Sequence, residues 1–470
     1  MLTRRDPVST APAASEASGK APDPAWAWAP YQPGHVEDWN LRRAGHLLRR
    51  GGFGGTWEQL QQALADGAQR SVDKLLNPDA DVAGFNREQD HWEVSTDAVD
   101  TLRAWWLRRM LQTPQPLLEK MTLFWHGYFG ISATRAGNPA MMCRHVQRLR
   151  DQALGKFDVL LESLVQDPAF LLGLDAGANR KALPSEHAAR VWLECYTVGP
   201  GGFNPQDTRE LSRALTGWFV LRGESRFVER EYDDGEKQLL GRRGKFTAQE
   251  AVRVLLEHPA TSRFVVKKLY RWLISETEEP SDALLAPLAE AFAKDYDVAK
   301  LVSTLLRSNQ FFSVAAYRCR IKSPVELAVG FIRGFAGFVE TVRLGQDLAG
   351  LGQNLYHPPT VHGWLGGAAW VNPAMVLGRQ NLVAALLSET GANAGKLDPA
   401  AIAEKQGVRS PEALAQFVVD LFLQGDLPDN VRVALFRDVP KSFTSASGEA
   451  SRWLRQFTHR LAALPEFQLA

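Results

Sequence analysis

Apolar residues recur at helical spacing along most of the chain from Trp39 onward, and polar clusters punctuate them at intervals suited to helix ends. The clearest stripe is Leu117, Met121, Phe124/Trp125 and Tyr128, at i, i+4, i+7 and i+11, which predicts a buried helix opened by Thr113-Pro114. Thr56-Trp57-Glu58-Gln59 and Thr247-Ala248-Gln249-Glu250 fit the capping box, in which cap hydroxyl and third side chain satisfy orphan amides. Asn204-Pro205, Ser323-Pro324 and Ser410-Pro411 each place a capping side chain before a proline at the first helical position. Two stretches break the helical period. Residues 226–240, with Asp233-Asp234-Gly235-Glu236 at their centre, have the punctuation of a β-hairpin. Tyr356 to Trp370 is too rich in Pro and Gly for a helix and too aromatic for disorder, so an ordered loop packed on the body is expected.

The expected fold is therefore mainly α: a large multi-helix globular domain with a short β-hairpin insertion and an ordered Pro/Gly/Trp-rich loop. Residues 1–36, rich in Ala, Pro and Ser, read as a disordered tail. Residues 37–390 form the main helical domain, and the more polar residues 391–470 a C-terminal helical extension.

Composition removes several function classes. Lys+Arg 54 against Asp+Glu 53 leaves a net charge of +1, so no global field draws the chain to nucleic acid or acidic membranes. Arginines cluster at Arg42/Arg43 with Arg49/Arg50, at Arg103 with Arg108/Arg109, and at Arg144, Arg148 and Arg150; helical spacing reads them as solvated helix faces. Cys143, Cys195 and Cys319 are far apart, which fits reduced, buried thiols. No stretch approaches the length of a membrane span, and no apolar run follows Arg4-Arg5 as a signal peptide requires, so cytoplasmic residence is the default expectation.

Candidate chemistry starts at Phe124-Trp125-His126-Gly127-Tyr128-Phe129. An imidazole among four large aromatics must be hydrogen-bonded, metal-bound or held neutral. Thr122 and Glu119 lie on the same helix line as His126, a start for a polar pocket; a satisfied core histidine is the plainer alternative. The segment 185–197 sets Glu186, Arg190 and Glu194 at i, i+4 and i+8. That spacing makes either an exposed salt-bridge ladder or, if buried, a set of ligands for a cation or polar substrate, with His187 as a further donor. His357 and His362 could bring two imidazoles to one metal, but no adjacent acid or cysteine completes a set. Gly51-Gly52-Phe53-Gly54-Gly55 lacks the Lys-Ser/Thr of a P-loop and suits a helix C-cap. Neither a Gly-x-Ser-x-Gly elbow nor an HExxH signature is present.

Several segments resemble the bacterial domain-of-unknown-function 1800 family. They are 44–54 (Ala-Gly-His-Leu-Leu-Arg-Arg-Gly-Gly-Phe-Gly), 105–111 (Trp-Trp-Leu-Arg-Arg-Met-Leu), 119–129 around His126, Leu215-Thr216-Gly217-Trp218, Gly235 with Lys237, Leu240 and Gly241, His258-Pro259-Ala260, Ser323-Pro324-Val325-Glu326 and 358–364 (Pro-Pro-Thr-Val-His-Gly-Trp). The resemblance covers roughly residues 40 to 385 and implies no established activity. It also implies departures: Ser185-Glu186-His187 and Arg190-Val191 stand where similar proteins read Asn-Glu-Asn and Arg-Glu, and Tyr232-Asp233 where they read His-Asp. Two functional readings follow. One is an enzyme, or degenerate enzyme, with a polar site drawn from His126, Glu186, Arg190, Glu194, Asp233 and Lys237, able to hold a divalent metal through His126, Glu186, His187 and Glu194. The other is a non-catalytic partner or scaffold of an exported alkaline-phosphatase/sulfatase-like protein, docking through Trp218, Trp364 and Trp370 and exported together with that signal-bearing partner.

Overall fold

A computed structural model describes residues 22–34, 37–90, 98–443 and 448–470. Its described residues form twenty-four α-helices and two small antiparallel ribbons, so the chain is mainly α. No helix among them is long and apolar enough to cross a membrane.

The start signals act as expected. Thr56, Asn204, Thr247 and Ser323 close capping boxes, and Ser410 accepts from the Ala413 amide. The His126 helix, Pro116–Phe129, begins two residues later than Thr113-Pro114 suggests, because Pro116 bars Gln115 from helical geometry. Thr113 instead accepts from the Gln115 amide at 2.9 Å.

This helix is the hub of the core and is buried on nearly every face, Glu119, Lys120, Thr122 and His126 included. Around it pack the helices Trp57–Leu76, Val99–Gln112 and Pro139–Asp151 and the turn Trp192–Tyr196. Trp125 stacks on Phe129 and Phe157, and its indole N–H donates to the Ala153 carbonyl at 3.0 Å.

Three expectations are corrected. The β content is two ribbons rather than one hairpin: Trp218–Leu221 pairs with Glu224–Phe227, and Lys237–Leu239 with Arg242–Gly244. Their turns are Arg222-Gly223 and Leu240-Gly241, all with positive φ, the conformation a two-residue hairpin turn requires. Asp233-Asp234-Gly235 instead links the ribbons. Second, part of the 1–36 segment is ordered. The helix Pro24–Trp28 is capped by Asp23, Trp28 donates to the Leu284 carbonyl at 2.7 Å, and Tyr31 is buried. Its aromatics supply the apolar surface that the surrounding Ala, Pro and Ser lack; residues 1–21 lie outside the described residues.

Third, the arginine clusters are not simply solvated faces: Arg43, Arg49, Arg50, Arg103, Arg109 and Arg150 are buried, whereas Arg144 is exposed. Helical spacing reports which residues share a face but not whether acceptors wait there. Arg50 donates to the Leu273 and Ile274 carbonyls, at the electronegative C-terminal end of the helix Pro259–Leu273.

Residues 391–470 close over the same core. Phe422 stacks on Phe331, with ring centroids 5.2 Å apart, and Phe467 meets both rings. The Ala470 amide donates to the Arg320 carbonyl at 2.8 Å, tying the last residue to the start of the Ser323-capped helix.

Candidate functional site

His126 is fully buried, and its Nε2 accepts from the Tyr356 amide at 3.0 Å. With Nε2 accepting, Nδ1 carries the hydrogen of the neutral ring, and that atom has no hydrogen-bond partner. Burial pushes the imidazole down to about 3, so it is neutral at physiological pH. The rings of Trp106, Tyr356 and Trp364 frame it, with centroids 5.4 to 5.9 Å away.

The neighbours expected beside His126 turn to other partners. Thr122 donates to the Leu118 carbonyl. Glu119, wholly buried, accepts from Trp106 Nε1 and Arg109 Nε at 2.9 Å and from Arg150 Nε at 3.1 Å. These two guanidinium groups outweigh burial and hold its carboxyl below the usual range. The residue after it, Lys120, pairs with Glu326 in a second buried ion pair and is held down to about 8 by burial.

In the 185–197 segment Ser185 caps the short helix Glu186–Val191, which continues as a π-helical turn over Trp192–Tyr196. A π-turn closes i to i+5, so it breaks the four-residue phase that would have aligned Glu186, Arg190 and Glu194. Glu186, His187 and Arg190 are exposed and Glu194 half-buried, with no ion pair among them. Among the described residues no group of three or more His, Cys, Asp or Glu is placed to hold a metal, and His126, Glu186, His187 and Glu194 do not form one.

Asp233 and Lys237 build the link between the ribbons. Asp233 receives Arg213 Nε at 2.8 Å, Arg213 Nη2 at 3.0 Å and the Gly235 amide at 2.9 Å, and the arginine holds its carboxyl low. Lys237 Nζ donates to the carbonyls of Asp233 and Gly235. Trp218 packs against Phe227 within its own ribbon.

The other two expected binding tryptophans, Trp364 and Trp370, line a cleft of about 210 Å³. Its floor is the outer face of the His126 helix: Leu123, Phe124, Gly127 and Tyr128. Cys195, from the π-turn, forms one wall; Lys268, Arg271 and Trp272 form another, and Glu276, Arg320 and His362 contribute further polar groups. Close backbone approach seats the 356–370 loop against this floor. A Cβ on Gly363 would strike the Gly127 carbonyl, and one on Gly130 would come within 2.5 Å of the Thr360 carbonyl.

The cleft's charges are unevenly matched. Arg320 donates to the Trp272 carbonyl at 2.7 Å, stacks 4.4 Å over that indole, and lies 3.6 Å from Glu276. Arg271 pairs with Glu279 at 3.2 Å. Lys268 makes no ion pair among the described residues and rests 5.2 Å over the Phe264 ring. The indole nitrogens of Trp272 and Trp364 are buried without a partner. Cys195 Sγ lies 3.9 Å from His362 Nε2. Of these polar groups, sequence reasoning singled out Cys195 only as a buried thiol and His362 only as half of a histidine pair. Lys268, Arg271, Glu276 and Arg320 carry no local signal, since distant segments bring them together.

A family model described as "Protein of unknown function (DUF1800)" matches residues 46–469, nearly the whole chain. The chain belongs to the DUF1800 family. No curated protein and no solved structure matches it. The cleft draws on three of the segments that resemble this family: Leu123, Phe124, Gly127 and Tyr128 from 119–129, Ser323 from 323–326, and His362 and Trp364 from 358–364. The DUF1800 match also runs through the C-terminal region, beyond residue 385 where the motif resemblance stops.

Proposed function

We propose that this chain is a ligand-binding protein of enzyme type whose working surface is the cleft between the His126 helix and the 356–370 loop, and that it takes a small organic anion with a flat or apolar body. The observation that carries this reading is Lys268, without an ion pair among the described residues, in a cleft shared with Arg271 and Arg320 and walled by Trp272, Trp364 and Trp370. Aromatic walls with a few convergent polar groups are the usual make-up of a small-molecule site. A carboxylate or phosphate would meet Lys268, which has no ion pair among the described residues, beside Arg271 and Arg320. His126 then serves from behind the site as a positioning residue, fixing Tyr356 and with it the loop that carries His362 and Trp364.

Titrating the full chain with aromatic carboxylates and phosphate monoesters, followed by tryptophan fluorescence, tests the reading. Binding should be saturable, weaker in Lys268→Ala, and absent for uncharged analogues of the same shape. Equal affinity for charged and uncharged ligands would refute it.

One observation favours a second reading, a docking surface for an alkaline-phosphatase/sulfatase-like partner that carries the chain out of the cytoplasm. Leu365, on the cleft rim, is 93% exposed. Co-expression tests it: the two proteins should co-purify, and Leu365→Asp should abolish the complex.

A further inference from the structure

Cys195 and His362 come from segments 167 residues apart and meet at the wall of the cleft, Sγ 3.9 Å from Nε2. Both line the space available to a ligand. The thiol sits on the π-helical turn Trp192–Tyr196, whose irregular backbone is held in part by the Thr197 hydroxyl donating to the Trp192 carbonyl at 2.7 Å. Such single turns occur often at functional sites, because they aim a side chain that a regular helix would direct elsewhere. Buried Cys195 thus faces exposed His362, which brings the imidazole within reach of solvent.

We propose that Cys195 and His362 form a nucleophile–base pair for acyl transfer from anionic esters or thioesters bound in the cleft. This rests on the anion-binding reading above and deepens it by giving the reaction class.

The steps balance without an oxidant or reductant. The Cys195 S–H proton passes to His362 Nε2 as Sγ attacks the acyl carbon, and the carbonyl π electrons move to oxygen. When the carbonyl re-forms, the bond to the leaving alcohol or thiol breaks, and that group takes the proton from His362. A water then gives a proton to His362 and attacks the Cys195 thioester. The C–S bond breaks, the carboxylic acid departs and Sγ recovers its proton. Lys268 favours the anionic sulfur, whereas burial and the neighbouring Glu194 carboxylate push the thiol up to about 11. The resting thiol is therefore protonated, and proton removal by His362 must accompany attack.

The test uses the full chain with 4-nitrophenyl hemisuccinate, a carboxylate-bearing ester, and 4-nitrophenyl acetate as its uncharged comparison. Binding of unreactive 4-nitrobenzoate is measured separately by tryptophan fluorescence. The wild type should release a burst of about one nitrophenolate per chain from the hemisuccinate, with the acyl group located on Cys195 by peptide mass mapping. Cys195→Ala and Cys195→Ser should lose burst and adduct. His362→Gln, at an exposed position, should slow acylation by about 100- to 10,000-fold, a far larger loss than any change in its affinity for 4-nitrobenzoate. No adduct on Cys195, or equal burst rates in wild type and His362→Gln, would overturn the proposal. If 4-nitrobenzoate still binds in that case, only the acyl-transfer proposal falls. If it does not bind the wild type, the anion-site reading falls with it.

Discussion

Replacing His126 by alanine separates a positioning role from a chemical one. The imidazole accepts the Tyr356 amide proton at 3.0 Å, and Tyr356 holds φ +66°, which a tyrosine adopts only when its surroundings impose it. Losing the acceptor leaves a buried N–H unpaired, which costs about 1–3 kcal/mol. Removing a ring packed among Trp106, Tyr356 and Trp364 adds a cavity, and large-to-small core changes cost about 2–5 kcal/mol. The two overlap, so a loss of about 3–5 kcal/mol is expected. Urea unfolding followed by tryptophan fluorescence should show the midpoint falling with little change in slope. Amide exchange at Tyr356 should accelerate even under native conditions. His126→Gln, whose side-chain carbonyl can accept from the same amide, should lose less. An unchanged midpoint and a protected Tyr356 amide in His126→Ala, with cleft binding abolished, would refute the reasoning and give the imidazole a direct role on the ligand.

Acid should destabilise the protein through the same residue. His126 stays neutral in the fold down to about 3, whereas in the unfolded chain it takes a proton near 6.5, so the unfolded state binds more protons between those values. Its contribution is fully present above pH 6.5 and is lost as pH falls, at about 1.4 kcal/mol per pH unit. Urea midpoints measured against pH should show a shallower slope in His126→Gln. Glu119→Ala should cost about 3–5 kcal/mol by leaving Arg109 and Arg150 buried without their carboxylate; a thermal melt within a degree of wild type would contradict it. Lys120→Met should also destabilise, but less, because Arg320 Nη1 remains 3.4 Å from Glu326, and a double-mutant cycle with Glu326→Leu measures the coupling of the Lys120–Glu326 pair. Gly363→Ala, at φ +74° and against the Gly127 carbonyl, should dislodge the 356–370 loop, read as weaker cleft binding and faster proteolysis within that loop.

Much of the fold was legible because its signals are local. Cap side chains at Thr56, Asn204, Thr247, Ser323 and Ser410 act on amides two or three residues away, so their spacing alone predicts the helix starts. The 356–370 loop was readable for the same reason, since Pro and Gly density excludes a regular α-helix, leaving only a short 3-10 turn over Gly367–Val371, and aromatic content favours packing on the body. The ribbons were misplaced because Arg222-Gly223 and Leu240-Gly241 make their turns without Asn or Asp. Asp233, which supplied the apparent turn signal, is engaged by Arg213 from another element.

For the candidate site the balance is reversed. By itself, the sequence determined a mainly helical chain, a buried aromatic helix around His126 and an ordered tryptophan-bearing loop, all consequences of period, capping and turn chemistry within one segment. Only the tertiary structure decided that six arginines lie inside, that His126 is occupied by Tyr356, and that a π-turn takes Glu194 out of line with Glu186 and Arg190. It alone brought Cys195, Lys268, Arg320 and His362 to one cleft. The reason is physical: whether a charge can be buried, and which group a nucleophile meets, depends on partners supplied by distant segments once packing has excluded water.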